Sequence, residues 1–140
     1  MAGYSGTPLV KKLGIRPGFD VAFVNAPENF VKQLDLPGDV KVRSLSKIKD
    51  FDFILVFVKN QKILTAAFAQ YSRKIKPNGM LWVSWPKKTS GVQTDVTENI
   101  VRDIGLAAGL VDVKVCAIDD VWSGLKFVYR LKDRNTLNSR

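Results

Sequence analysis

Residues 111–131, VDVKVCAIDDVWSGLKFVYRL, decide the fold. Two apolar runs, 111–118 and 125–131, carry the β-branched and aromatic residues of strands. Asp119, Asp120, Val121, Trp122, Ser123 and Gly124 between them are too few for a crossover, because parallel neighbours need a connection of about a dozen residues or more. The chain therefore ends in an antiparallel hairpin.

Upstream of that hairpin the pattern alternates. Phe53, Ile54, Leu55, Val56, Phe57 and Val58 form an unbroken apolar run, the pattern of a parallel strand covered on both faces. Residues 20–24, 40–42 and 80–85 read as further strands, and 44–49 as a turn. Pro8, Leu9, Val10 and Leu13 predict a short helix stopped by Gly14, with Ser5, Gly6 and Thr7 at its start. Phe30, Val31 and Leu34 predict a second helix, after the turn Asn25, Ala26, Pro27. Leu64, Ala67, Phe68, Tyr71 and Ile75 recur at helical spacing and predict a helix over 61–76, ended by Pro77, Asn78 and Gly79. Asp95 with Glu98 reads as a capping box for a helix burying Val96, Ile100, Ile104 and Ala108, with Gly109 as its stop. This order predicts a three-layer α/β fold: a mostly parallel sheet flanked by helices, closed by the antiparallel C-terminal hairpin. A single α/β domain is expected over 1–132, and a flexible polar tail over 133–140.

Composition narrows the chemistry. The chain has 140 residues, a formal net charge of +9 and no histidine, so no imidazole serves as base, proton shuttle or metal ligand. Cys116 is the single cysteine, which excludes an internal disulfide and fits a reducing compartment. It stands among valines without an activating base and reads as an inert thiol. The longest apolar run, 53–58, is far too short to span a membrane, and residues 1–12 lack the apolar core of a signal peptide. A cytoplasmic protein without membrane attachment is expected. Asp119 and Asp120 read as turn residues, since hard cations need more oxygens than two adjacent carboxylates supply; no metal is expected. Between Lys59 and Lys88 lie Lys59, Lys62, Arg73, Lys74, Lys76, Lys87 and Lys88 with no Asp or Glu, a segment read either as a solvated helix face or as a footprint for phosphate or nucleic acid.

The hairpin ending, with the preceding central strand, helix, Pro77-Asn78-Gly79 and strand, resembles the second half of the Rossmann-like methyltransferase fold across residues 19–132. That resemblance implies an S-adenosylmethionine site built from a glycine-rich turn after the first strand, an acid ending the second, and an Asp or Asn after the central one. Here the turn Asn25, Ala26, Pro27, Glu28, Asn29 holds no glycine, Arg43 stands near the acidic position, and only Asn60 echoes the third element. A strand and helix are missing between Val42 and Phe53, so the cofactor half is abbreviated. On these grounds S-adenosylmethionine is disfavoured. The opening Ala2, Gly3, Tyr4, Ser5, Gly6, Thr7, Pro8 with Lys11, Lys12, Leu13 and Gly14, the run 82–91, and 105–128 with Val121, Trp122, Ser123 and Gly124 also resemble a small bacterial family catalogued as a domain of unknown function. That second resemblance implies no activity, ligand or catalytic residue.

Ligands of open α/β sheets bind beyond the carboxyl ends of the strands. The candidate rim there comprises Asn25, Glu28, Arg43, Asn60, Trp85, Lys87, Lys88, Thr89, Ser90, Trp122 and Ser123. Lys87 and Lys88 supply charge, Trp85 and Trp122 flat apolar surface, and Thr89 and Ser90 hydroxyl donors. No residue is assigned to catalysis. The expected function is a non-catalytic methyltransferase-like module for an anionic small molecule or protein partner. Nucleic-acid binding through the basic segment and an atypical S-adenosylmethionine-dependent methyltransferase are the alternatives.

Overall fold

The computed structural model describes residues 8–46 and 50–138. The expectations placed on 1–7 and 47–49 lie outside the described residues. In chain order the elements are α1 (Leu9–Leu13), β1 (Asp20–Val24), α2 (Phe30–Gln33), β2 (Lys41–Val42), β3 (Phe51–Phe57), α3 (Gln61–Tyr71), β4 (Ile75–Pro86), α4 (Glu98–Ala107), β5 (Leu110–Ala117), β6 (Trp122–Tyr129) and α5 (Leu131–Asn138). The strands form one sheet in the order β2-β1-β3-β4-β6-β5. β2, β1, β3 and β4 run parallel, and β6 lies antiparallel between β4 and β5. The expected mostly parallel sheet with an antiparallel terminal hairpin is therefore present.

The sheet separates two apolar cores. On the first face α3 and α4 cover Ile54, Val56, Leu81, Val83, Leu125 and Phe127. There Phe68 and Phe127 meet edge to face at 4.9 Å, and a Cβ on Gly105 would stand 2.2 Å from the Phe127 ring. Glycine at that position lets α4 settle directly on the sheet. On the second face the short α1 and α2 cover Phe53, Leu55, Phe57, Trp82 and Trp122. The Trp82 indole donates to the Leu13 carbonyl at 2.9 Å, pinning the end of α1.

Two local expectations are corrected. The helix expected over 61–76 ends at Tyr71, followed by one 3₁₀ turn, and Ile75 opens β4 opposite Phe51. A lone buried Ile at helical spacing fits either element; here the pairing with β3 takes it. The register then jumps between Phe51 and Phe53. Gly79 sits in the resulting kink, where a Cβ would approach the Phe51 carbonyl oxygen to 2.8 Å. Thr97, not Asp95, caps α4, accepting from the Ile100 amide at 3.3 Å. Asp95 instead accepts from the Gln61 amide at 2.9 Å and so satisfies the start of α3. Leu131–Asn138, which overlaps the tail expected over 133–140, forms α5; it lies against β4, and the Arg134 guanidinium donates to the Tyr129 carbonyl. That stretch contains no Gly or Pro to break a helix. Among the described residues no helix is long and apolar enough to cross a membrane.

Candidate functional site

β1 and β3 are neighbours whose following helices go to opposite faces: α2 joins the second core and α3 the first. A crevice opens where connections part in this way, at the carboxyl ends of the strands. A cleft of about 630 Å³ occupies that point, lined by Asn25, Pro27, Phe57, Lys59, Asn60, Ile63, Val92, Val121 and Trp122. Its size falls within the range usual for small-molecule sites.

Each wall has a local cause. The turn after β1 places Asn25 and Asn29 in the left-handed region, at φ 58° and 67°, which glycine adopts freely and asparagine tolerates better than other side chains. Asn60 caps α3, its side-chain carbonyl accepting from the Ile63 amide at 2.8 Å, and the NH₂ of the same amide stays outside that bond. The Thr94 hydroxyl donates to the Lys59 carbonyl at 2.6 Å, and with the Asp95–Gln61 bond this straps residues 92–95 onto the β3–α3 turn. The Asp119 carboxylate accepts the Val121 and Trp122 amides, both at 2.8 Å, the turn role expected for it. The Lys87 amide donates to the Val121 carbonyl at 2.7 Å. Trp122 then meets the Phe57 ring edge to face at 5.0 Å, forming an apolar wall.

Of the candidate rim residues, Asn25, Asn60 and Trp122 line this cleft together. Glu28 is exposed in the same turn but is not part of the lining. Arg43 is elsewhere: β2 has only two residues and pairs with the start of β1, so the Arg43 guanidinium bonds Asp20 at 2.6 Å, by the amino end of β1. It holds the Asp20 carboxyl below the usual carboxylate range. Trp85 is buried in the first core, opposite Ser123 across the β4–β6 pair. With Lys88 it borders a second hollow of about 460 Å³, by the start of α4. Thr89 is exposed and outside both linings. The Ser90 hydroxyl is engaged in its own turn, donating to the Lys87 carbonyl and accepting from the Val92 amide. Lys87 is half-buried and likewise off both linings. The basic segment is also divided: Lys59 and Lys88 lie by the carboxyl ends of the strands, whereas Lys76 pairs with Asp52 at 2.9 Å and Lys74 donates to the Leu45 carbonyl. Sequence reasoning passed over Phe57, Ile63 and Val92 as lining, Phe57 because it reads as part of the buried central strand.

Fold and cleft together define the class: this is a methyltransferase-like Rossmann fold with a reversed penultimate strand in the sheet. Among solved structures it is similar to a ribosomal protein L11 methylase from Lactobacillus delbrueckii subsp. bulgaricus, with 11% identity, 87% of this chain and 75% of that chain covered, and a TM-score of 0.58. It is similar to a TehB-like SAM-dependent methyltransferase from Corynebacterium glutamicum at 11% identity, 87% and 85% coverage and TM-score 0.57. A magnesium protoporphyrin IX methyltransferase from Synechocystis with bound SAH matches at 10% identity, 87% and 78% coverage and TM-score 0.54. No protein-family model and no curated protein matches the chain. These neighbours correct the expectation that disfavoured S-adenosylmethionine (SAM), because the fold is one that SAM-dependent enzymes use, in one case with SAH in place. One ground for that expectation, the turn without glycine, is also weakened: the turn still takes the left-handed conformation, through Asn25 and Asn29.

Proposed function

We propose that this chain is a SAM-dependent methyltransferase with an abbreviated cofactor half. The observation that carries the reading is the cleft between β1 and β3, walled by Phe57 and Trp122 and bordered by a left-handed Asn25. Phe57, Ile63, Val121 and Trp122 offer apolar surface for a purine. The Asn60 NH₂ and the Asn25 side chain are donors for hydroxyl or carboxylate oxygens, and the Lys59 ammonium is a counter-charge for a carboxylate. When bound, the cofactor would supply an electrophilic methyl group on a sulfonium for an acceptor nucleophile. With no histidine in the chain, the residues at the cleft orient and desolvate and provide no imidazole base.

Calorimetric titration with SAM and with SAH tests the proposal. Saturable binding is expected, and Ile63→Trp, which adds bulk at a half-exposed wall position rather than in either core, should abolish it while leaving the melting temperature within a few degrees. Absence of binding to the wild-type protein at millimolar cofactor would overturn the reading.

A further inference from the structure

The second face of the terminal hairpin gathers positive charge away from the cleft. Lys114 of β5 and Lys126 of β6 are direct cross-strand partners, and Lys126 is in turn opposite Trp82. Trp82 belongs to the second core, so both lysines stand on that face. The end of α1 adds to them. The Lys114 ammonium donates to the Lys12 carbonyl at 2.8 Å, and the Lys126 ammonium lies 3.9 Å from the position a Gly14 Cβ would take. Arg16 follows two residues later and is exposed.

One of these contacts has a purely structural purpose, since a lysine on the last carbonyls of a helix satisfies them. It does not account for Lys126. Like charges directly opposite in an antiparallel pair repel: burial, and after it the charges of Lys114 and Arg16, push the Lys126 ammonium pKa down. Among the described residues none of Arg16, Lys114 and Lys126 enters an ion pair, while Arg43, Lys76 and Arg102 do. Among the described residues the cluster is thus a cationic patch without an ion-pair partner, on a protein whose net charge is already +9. None of Arg16, Lys114 and Lys126 lines either cleft described above, and Arg16 and Lys114 are exposed. Cations spread over two strands and the segment after α1 suit successive phosphates of a chain. Val115, one of the two exposed valines that flank Lys114, pairs with Leu125 of the first core and so belongs to the opposite face.

We infer that Arg16, Lys114 and Lys126, with the end of α1, form a docking surface for the phosphate backbone of a nucleic acid. The surface is separate from the cleft, and the inference does not depend on the cofactor assignment. Fluorescence anisotropy with a labelled single-stranded oligonucleotide over a salt series tests it. Binding should weaken steeply with salt, and Lys114→Gln with Lys126→Gln should lower the affinity about tenfold at physiological salt and flatten the log–log salt slope by about 1.4, at roughly 0.7 per lost contact. Lys114→Arg with Lys126→Arg should retain binding, which separates lost charge from lost fold. Calorimetric binding of SAH should be the same in all three proteins. An unchanged salt slope in the glutamine variant, no oligonucleotide binding at low salt, or binding to phosphatidylserine vesicles in place of the oligonucleotide would overturn it.

Discussion

The two faces of the sheet are built on different terms. The first is covered by α3 and α4, whose side chains interdigitate with the strands closely enough that Gly105 has no room for a Cβ. The second is covered by α1 and α2, of five and four residues, and relies on single fastenings such as Trp82 to Leu13. Long helices bury a continuous stripe and fix the sheet. Short ones bury less of it, and Lys114 and Lys126 stand on that face. The cleft lies where the two arrangements part, between β1, which feeds the thin cover, and β3, which feeds the thick one.

Substitutions on the covered face should have the largest effect. Gly105→Ala drives a methyl group into the Phe127 ring, and overpacking of this kind costs about 1–3 kcal/mol, more than the gain of up to about 1 kcal/mol from replacing a helical glycine; a urea melt should show a clear loss. At the boundary, Asn25→Val forces a β-branched residue to φ 58°, at a strain on the order of 1–3 kcal/mol, whereas Asn25→Gly should leave stability nearly unchanged. Equal effects of the two would break the argument that backbone conformation, not side-chain identity, shapes that turn. The smallest effect belongs to the Asp20–Arg43 pair. The Asp20 carboxyl is lowered chiefly by its hydrogen bond to Arg43, so the pair stabilises the fold above the ordinary carboxylate pKa of 3.8, and that contribution fades as pH falls through the lowered value. Stability measured from pH 7 down to pH 2 should fall less steeply in Asp20→Asn than in the wild type.

Much of this architecture was legible in the residues. The apolar run at 53–58 reads as a central strand because burial on both faces removes any alternation, and the short link 119–124 admits only an antiparallel return. Boundaries set by distant partners were not legible. Ile75 fits the helical period of the residues before it, and only its pairing with Phe51 makes it a strand residue. Asp95 lies three residues before Glu98 like a capping box, yet its carboxylate is taken by Gln61, 34 positions away. The candidate site was half visible. Asn25, Asn60 and Trp122 were read from their place at strand ends, while Arg43 was drawn off by Asp20 and, of the lysine-rich loop, Lys88 alone borders the second hollow. The missing glycines misled most, because a left-handed asparagine leaves no composition signal beyond the asparagine itself.

The central claim is that the cleft between β1 and β3 holds the cofactor, and amide chemical-shift mapping during titration with SAH tests it most directly. The amides of Asn25, Lys59, Asn60, Ile63, Val121 and Trp122 should shift together and saturate, with those of Lys114 and Lys126 unmoved. Shifts confined to the hollow by Trp85 and Lys88, or no shifts at saturating SAH, would contradict the account.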